Sequence, residues 1–294
     1  MFEIKPYLQL FRPLTLLAPA IGGIFFGLMG VKAAGLSFVD NIPLLLLSGF
    51  ILAIANASSN ILNQVFDAEI DLIHPEKRKR PIPSGKVSKE NAMSLAVFLM
   101  IMVIASSLTV FGFAYGFTLT VIMLFAWMYN CPPLRMKKRL FWSNIAIAAP
   151  RGGMGITCAY SAFASPYNPT IYVAIIYFAL YVFGTNTLKD FADADYDRIS
   201  GVRNFVTVFG KTIASTIVGA FTIIPFIALL VAEHVGYITL NPLTYLPLFL
   251  SIILVGLLLT NFEKKSSEGN SALWVIFYLQ FSLMMITFAL PFII

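Results

Sequence analysis

The chain has little charge and very few cysteines or histidines. Of its 294 residues, 12% are Asp, Glu, Lys or Arg and 59% are hydrophobic, and there are two cysteines and two histidines. The cysteines, Cys131 and Cys158, are too few for a disulfide framework. Polar faces at helical period, which a large soluble helical protein needs, are also lacking. A large soluble domain is therefore excluded, because one core saturates well before this apolar content is reached.

Long apolar runs fill most of the chain, and the mean hydropathy is +0.84. A helix that crosses the hydrocarbon layer needs about 20 such residues. The N-terminal run follows both an acid and a base and has no short cleavable pattern, so we expect it to be retained. We predict an all-α integral membrane protein, one domain over 1–294, with nine transmembrane helices. The predicted spans lie near 14–32, 43–66, 91–111, 114–131, 142–163, 170–190, 211–232, 243–262 and 271–293.

The basic residues are distributed asymmetrically between the connections. With nine spans, 18 of the 20 Lys and Arg lie on one side, and the exceptions are Lys32 and Arg151. The positive-inside rule then places the N-terminus and these connections in the cytoplasm and the C-terminus outside the cell membrane. The net charge of +6 is explained by this orientation, and we expect no nucleic-acid partner.

Two acidic clusters lie on the predicted cytoplasmic side. In SSNILNQVFDAEIDLIHPEKRKRPIPSG (58–85), Asn63, Asp67 and Asp71 are four residues apart and form one stripe on a helix. In GTNTLKDFADADYDRISG (184–201), a spacing of four, three and four also defines one face. The side chains of this second stripe are Asn186, Asp190, Asp193 and Asp197. Glu69 and Asp195 are offset by two residues and are expected to point elsewhere.

Carboxylates at one-turn spacing repel one another, and ionisable groups near a membrane core are costly. A cation is therefore expected between them, and oxygen ligands without His or Cys favour Mg²⁺ or Ca²⁺ over zinc. Mg²⁺ leaves coordination positions to phosphate oxygens, so two opposed Asp faces indicate a clamp for a Mg²⁺–phosphate ligand. Nearby bases that would hold the remaining phosphate charge are Arg78, Arg80, Lys137 and Lys189. The alternative is a solvated polar rim.

The sequence resembles the UbiA-type intramembrane prenyltransferases. The resemblance is carried by NQVFDAEID (NxxxDxxxD), RPIPSG at 80–85, KDFADADYDRISG (KDxxDxxxDxxxG), YNCPPLRMKKRLFWSN at 129–144 and FRP at 11–13. It implies transfer of a prenyl chain from an isoprenyl diphosphate to a lipophilic acceptor. Membrane lipid is a further expected partner. The resemblance also implies two Mg²⁺ ions between the Asp motifs, and nine helices in two pseudo-repeated halves around a central cavity.

Roles follow from the positions of these motifs. Tyr129 is the candidate aromatic ring for stabilising an allylic cation, with an interfacial belt position as the alternative. Arg135 is a weaker diphosphate candidate, and Arg12 either reaches the site or snorkels to the surface. The metal candidates are Asn63, Asp67, Asp71, Asp190, Asp193 and Asp197, and the Asp residues among them are also the catalytic candidates with Tyr129. The diphosphate candidates are Arg78, Arg80, Lys137, Lys138, Lys189, Asn63 and Asn186.

The chain departs from the family pattern at a few positions. His74 stands where Asn is frequent, and it is either a base or a solvated loop residue. Tyr196 and Asn204 stand where Gly and Thr are frequent, which affects the subfamily rather than the metal site. The pattern resembles most the digeranylgeranylglyceryl phosphate synthase branch, which forms an ether lipid. An aromatic acceptor of quinone biosynthesis is the alternative, and a transporter of lipid phosphate or divalent ions is a remote one.

Overall fold

The computed structural model describes residues 3–261 and 267–293, and every regular element in these ranges is helical. Lys264 and Lys265, two of the bases assigned to the cytoplasmic side, lie outside the described residues. The α-helices are α1 Ile4–Leu10, α2 Leu17–Ala33, α3 Phe38–Ile73, α4 Lys89–Phe111, α5 Phe113–Asn130, α6 Trp142–Ala148, α7 Gly155–Ser161, α8 Pro169–Thr185, α9 Asp190–Ile199, α10 Phe205–His234, α11 Leu246–Asn261 and α12 Ser267–Ala289. Short 3₁₀ turns join several of them.

Eight helices in the described ranges are long and apolar enough to cross a membrane. They match eight of the nine predicted spans, and the protein is an integral membrane protein. The remaining predicted span, 142–163, consists of α6, a π-helical turn at Ala149–Met154, and α7. Pro150 lacks an N–H and Gly152 and Gly153 follow it, so the α-helical hydrogen-bond pattern is interrupted at this point.

Two helices continue beyond the apolar runs that predicted them. Helix α3 reaches Ile73 rather than 66, and the α8 segment continues through a 3₁₀ turn at Asn186–Lys189 into α9. The apolar run ends where polar residues begin, but these polar residues still support a helix. Both acidic clusters are therefore carried on helix ends rather than on loops.

Small residues allow the membrane helices to approach one another closely. A Cβ atom added to Gly23 of α2 would lie 2.5 Å from the Cα of Gly49 in α3. A Cβ on Gly152 would lie 2.5 Å from the backbone of Ala179 in α8. Contacts of this kind are typical of membrane helix packing, where small residues bring backbones together.

The carboxyl-terminal ends of α3, α5 and the α8–α9 segment meet at one end of the bundle. Asn63 of α3 bonds to Asn130, the last residue of α5. Lys189, between α8 and α9, bonds to Tyr129 of α5. The backbone N–H of Arg203 donates to the carbonyl of Lys138. This bond joins the connection after α9 to the connection after α5. The acidic clusters are thus brought together by the ends of three different helices.

Candidate active site

The first acidic cluster lies on the last turns of α3, with the predicted one-turn spacing. The Asn63 amide donates to the Asp67 carboxylate (Nδ2–Oδ2 3.0 Å) and to Asn130 Oδ1 (3.1 Å). Its own carbonyl oxygen accepts from Arg12 Nη2 at 3.3 Å. Asn63 therefore orients both the Asp67 carboxylate and the Arg12 guanidinium.

Cations from two connections pair with this cluster. Lys137 Nζ lies 2.5 Å from Asp67 Oδ1, and Arg135 Nη2 lies 3.3 Å from the same oxygen. Arg80 Nη1 lies 2.7 Å from Asp71 Oδ2, and Asp71 is buried. Burial lowers the pKa of Lys137, against the opposing attraction of Asp67. The pairs are only partly exposed, so each charge is stabilised chiefly by its partner.

The second acidic cluster lies on α9. Lys77 Nζ is 2.6 Å from Asp193 Oδ1, and the Asn204 amide donates to Asp197 Oδ2 at 2.8 Å. Asn204 also caps α10, so the residue that stands in place of the family's Thr links this helix start to the cluster. Asp190 is buried, and its Oδ2 has no hydrogen-bond partner among the described residues.

Asn186 does not lie on the α-helical face that the spacing predicted for the second cluster. Residues Asn186–Lys189 form a 3₁₀ turn, in which four residues rotate by about 480° rather than 400°. The expectation that Asn186 shares one α-helical face with Asp190 is therefore wrong. The Asn186 side chain is buried, and its Nδ2 has no hydrogen-bond partner in the described part of the chain.

His74 contacts the second cluster from the end of α3. Its Nε2 lies 3.5 Å from Asp193 Oδ1, and its ring packs on Tyr196 with centroids 4.3 Å apart. Nδ1 accepts the backbone N–H of Glu76 at 3.2 Å. Burial and the neighbouring Lys77 lower the pKa of His74. The expectation of a solvated loop histidine is wrong.

The two clusters face one another across shared cations. Burial lowers the pKa of Arg12 to about 10, and the attraction of Asp71, Asp67 and Asp193 opposes this decrease. Arg12 therefore lies within electrostatic range of both clusters. Lys77 likewise interacts with Asp67 as well as with the second cluster. His74 and Lys77, at the end of α3 and just after it, both contact Asp193, so the two clusters lie near one another.

Tyr129 and Lys189 connect this polar region with the membrane interior. Lys189 Nζ donates to the Tyr129 hydroxyl at 2.7 Å and lies 5.3 Å from the ring centroid. Tyr129 is 7% exposed, so the alternative of an interfacial belt tyrosine is wrong. The ring is held beside the acidic clusters.

Several charged residues lie away from the clusters. Arg78, a diphosphate candidate, is exposed, and Lys138 donates to the carbonyl of Ser200 at 3.0 Å rather than to a carboxylate. The side chains of Glu69 and Asp195 are 88% and 87% exposed, as their offset in the spacing predicted. The 3₁₀ turn Lys77–Lys79 explains why Lys77 contacts Asp193 while Arg78 is exposed, because its successive side chains point about 120° apart.

The fold brings three cations to the site that the motifs did not select or ranked only as weaker candidates. Lys77 stands in a run of four bases in which no member is distinguished by the pattern. Arg135 was a weaker candidate, and its backbone adopts a left-handed conformation (φ 37°) that turns the chain toward α3. Arg12 also has φ 53° and precedes the 3₁₀ turn at Pro13–Leu16. Positive φ in non-glycine residues is uncommon, and no sequence signal revealed it.

The donor set fits Mg²⁺ in its chemistry. The candidate ligands are carboxylate and amide oxygens, and one buried carboxylate oxygen, Asp190 Oδ2, is left without a partner among the described residues. In the same residues, no group of three or more His, Cys, Asp and Glu side chains is close enough to hold a metal ion. Asp67, Asp71 and Asp193 are each paired with Lys or Arg instead.

An apolar cavity of about 830 Å³ lies next to the polar region. Tyr129 lies on its wall, so the cavity begins where the cation-rich region ends. Other lining residues are Leu52, Ala126, Ile147, Phe281 and Met285. The arrangement suits a ligand with a polyanionic end and a long apolar body.

The site is thus a set of carboxylates paired with bases, next to an apolar cavity in an all-helical membrane bundle. The model of the UbiA prenyltransferase family matches residues 16–288, and the chain belongs to this family. It is therefore a prenyltransferase rather than a transporter.

Comparison with individual proteins gives the following similarities. The chain is 25% identical to a digeranylgeranylglyceryl phosphate synthase of Saccharolobus solfataricus, over 92% of this chain and 90% of the relative. It is 29% identical to the bacteriochlorophyll synthase 34 kDa chain of Chloroflexus aurantiacus, over 72% of this chain and 66% of that relative. A UbiA homolog from Archaeoglobus fulgidus, solved with GPP and Mg²⁺ bound, has the same fold. Its TM-score is 0.71 at 16% identity, with 98% of this chain and 99% of the other covered.

Proposed function

We propose that this enzyme transfers a geranylgeranyl-type group from an isoprenyl diphosphate to the hydroxyl of a prenylated glycerol phosphate, forming an ether lipid. The observation that carries the proposal is that both acidic clusters and their cations meet near Tyr129, which lines an apolar cavity. Similarity to the Saccharolobus relative over 92% of the chain supports the acceptor class.

Mg²⁺ is the cofactor that the donor set and the Mg²⁺-bound homolog support. We propose two ions, as the family resemblance implies. When bound, Mg²⁺ neutralises the diphosphate and makes it a better leaving group. The residues that would hold the ions are Asn63, Asp67, Asp71, Asp190, Asp193 and Asp197.

The cations of the site supply the rest of the diphosphate contacts. Lys137, Arg80 and Lys77 are now paired with Asp67, Asp71 and Asp193. With Mg²⁺ on those carboxylates, the three side chains would be available to donate to phosphate oxygens, which accept charge-assisted hydrogen bonds. Diphosphate binding therefore exchanges one set of ion pairs for another, so no charge is left unpaired in the partly buried site.

Bond cleavage and formation then follow from the geometry. The C–O bond between the allylic carbon and the diphosphate breaks, and diphosphate leaves with the electron pair. The face of the Tyr129 ring, already beside a cation, stabilises the allylic cation, and the apolar cavity excludes water from it. The acceptor hydroxyl oxygen forms the new C–O bond. Its proton passes to a neighbouring carboxylate of the site.

A ring-system acceptor is the second candidate. It is favoured by the 29% identity to the Chloroflexus bacteriochlorophyll synthase chain. An aromatic acceptor of the quinone type belongs to the same alternative. The same donor site serves both candidates, and only the acceptor differs.

The path of the chain supports a ninth membrane crossing at residues 142–161. Helix α5 ends at the site with Asn130, and α8 also ends at the site, where Asn186 follows it. Helix α8 has 17 residues, about 25 Å of helix, so its start lies at the opposite end of the bundle. The chain must therefore cross between these helices. Nine crossings agree with a cytoplasmic N-terminus and site and a C-terminus outside. We also propose one domain with two pseudo-repeated halves, as the family resemblance implies.

Product analysis tests the proposal. Purified protein is incubated with geranylgeranyl diphosphate, Mg²⁺ and a panel of acceptors, namely geranylgeranylglyceryl phosphate, 4-hydroxybenzoate and a chlorophyllide. We expect the mass of a digeranylgeranylglyceryl phosphate. A prenylated ring without ether lipid would establish the second candidate, and diphosphate consumption without any product from the panel would contradict both acceptor classes.

A further inference from the structure

Arg151 is a cation on the wall of the apolar cavity. It lies in the π-helical turn of the 142–161 segment and lines both the large cavity and a second cavity of about 380 Å³. In the part of the chain that the structure describes, no carboxylate forms an ion pair with it. An ionisable group inside a membrane protein without a counter-ion is costly, and such groups mark functional sites.

The only hydrogen bond shown for the Arg151 side chain in the described residues is to a neutral amide. Arg151 Nη2 donates to Asn56 Oδ1 at 3.3 Å. The Asn56 amide nitrogen donates to the carbonyl of Thr15 at 3.0 Å, which fixes the direction in which its oxygen points. Asn56 therefore orients the guanidinium without neutralising it, and most of the five N–H donors of Arg151 are left for another acceptor.

Backbone packing fixes the position of this arginine. The next residue, Gly152, lies so close to α8 that a Cβ atom would come within 2.5 Å of Ala179 backbone atoms. The π-helical turn therefore cannot rotate against α8. Because the backbone at 152 is held against one neighbour, Arg151 is held toward the cavities, and π-helical turns of this kind frequently occur at functional sites.

The second cavity brings another unpaired donor beside Arg151. Asn186 lines this cavity, is 8% exposed, and has no hydrogen-bond partner for Nδ2 among the described residues. The remaining wall is largely aromatic and includes Trp274, Phe277 and Tyr278. A guanidinium and an unpartnered buried amide N–H₂ together suit an anionic oxygen group, and the aromatic wall suits an apolar body attached to it.

We propose that Arg151 and Asn186 bind an anionic oxygen group, a phosphate or a carboxylate, on the acceptor substrate. This inference rests on the proposed prenyl transfer and adds where the acceptor is recognised. Both cavities share Arg151, Tyr278 and Phe281 on their walls. An acceptor anchored in the small cavity would therefore present its reacting atom to the donor chain in the large one. Asn186 is accordingly assigned to the acceptor rather than to the diphosphate.

Equilibrium binding, measured without turnover, tests the inference through Trp274, which lines the small cavity. The chain has three tryptophans, and in a W127F/W142F background the fluorescence reports Trp274 alone. The probes are geranylgeranylglyceryl phosphate and the same glyceryl ether without phosphate, together with 4-hydroxybenzoate and its methyl ester. We expect at least one anionic probe to quench the emission and to bind at least tenfold tighter than its neutral counterpart. Equal affinity of anionic and neutral probes would overturn the inference.

Variants separate recognition from folding. Arg151→Gln and Asn186→Ala should each lower the affinity for the anionic probe, the former by at least tenfold. The affinity for the neutral probe should not change. Arg151→Lys keeps the charge but loses the planar donor fork, so an intermediate loss is expected. Arg139→Gln, an exposed cation, is the control. If Arg151→Gln does not yield folded protein, the comparison of probes in the parent decides. Unchanged affinity in folded Arg151→Gln would refute the assignment.

The result remains distinguishable from failure of the proposed function. If geranylgeranylglyceryl phosphate binds through Arg151 but no ether product forms with donor and Mg²⁺, the anion site stands and the proposed reaction is wrong. If 4-hydroxybenzoate binds in preference to its ester and the lipid phosphate does not, the same site serves a carboxylate, and the ring acceptor takes the place of the ether lipid.

Discussion

Lys189 donates a hydrogen bond to the hydroxyl of Tyr129 while its ammonium lies 5.3 Å from the centre of the same ring. The pair stands where the charged site meets the apolar cavity. The two distances place the ammonium beyond the hydroxyl edge of the ring, so the ring face is left for another cation. The allylic carbon of a bound donor, with its diphosphate among the cations and its tail in the cavity, would lie beside this ring.

The ring and the hydroxyl of Tyr129 are expected to contribute separately. Tyr129→Phe removes one hydrogen bond, worth about 1 kcal/mol, and should lower kcat by about tenfold or less. Tyr129→Leu also removes the cation–π contact, worth about 2 kcal/mol when desolvated, and should lower kcat by roughly 100-fold. Rates are measured at saturating geranylgeranyl diphosphate. Equal rates for the two variants would show that the ring face has no role.

The paired carboxylates are expected to be essential for donor ionisation. Asp67→Asn and Asp193→Asn should each reduce Mg²⁺-dependent consumption of geranylgeranyl diphosphate by about 100-fold or more, because each removes an anionic ligand where several kcal/mol of charge stabilisation act. Glu69→Gln and Asp195→Asn are matched controls, since both side chains are exposed. Size-exclusion profiles in detergent establish folding. Full activity of both site variants would remove the metal assignment.

Neighbouring cations in the KRKR run are expected to differ in effect. Lys77→Gln should raise the KM for the donor diphosphate by about tenfold or more, since hydrogen bonds to charged groups contribute roughly 1.5–3 kcal/mol. Arg78→Gln should leave it unchanged, because Arg78 is exposed and Lys77 contacts Asp193. The comparison uses initial rates over a donor concentration series. An equal rise in both variants would indicate a diffuse electrostatic effect rather than a contact.

Close packing of α2 on α3 is expected to limit substitution at Gly23. Gly23→Ala places a methyl group 2.5 Å from the Cα of Gly49 and should lower the free energy of unfolding by about 1–3 kcal/mol. Gly256→Ala is the control, because nothing beyond its own helix lies within 4 Å of the added Cβ among the residues that the structure describes. Thermal unfolding in detergent compares the two. A Gly23→Ala variant as stable as the parent would mean that the helices separate easily.

Much of the architecture was predictable because apolar runs and charge placement act locally. Eight of the nine predicted spans correspond to membrane-length helices. The one-turn spacing of Asn63, Asp67 and Asp71 was also correct, since helical period alone sets it. The ninth predicted span, 142–163, does not form one membrane-length α-helix, because Pro150 and the glycines after it convert the helix locally into a π-helical turn.

The roles of individual cations were much less predictable. Nothing in KRKRP distinguishes Lys77 from Arg78, and only the 3₁₀ turn directs one inward and the other outward. Arg151 was an isolated exception to the charge asymmetry. Its neighbours Asn56 and Asn186 are far from it in sequence, and the packing of Gly152 on α8 brings the three together.

The sequence alone determined the membrane class, the helical spans, the two acidic clusters and the kind of metal they suit, because these depend on local composition and helical period. The tertiary structure alone decided which bases reach the carboxylates, that Tyr129 is buried, and that Arg151 and Asn186 share a cavity. These facts depend on contacts between residues distant in the chain. Such contacts are set by how whole helices pack, and no local pattern encodes them.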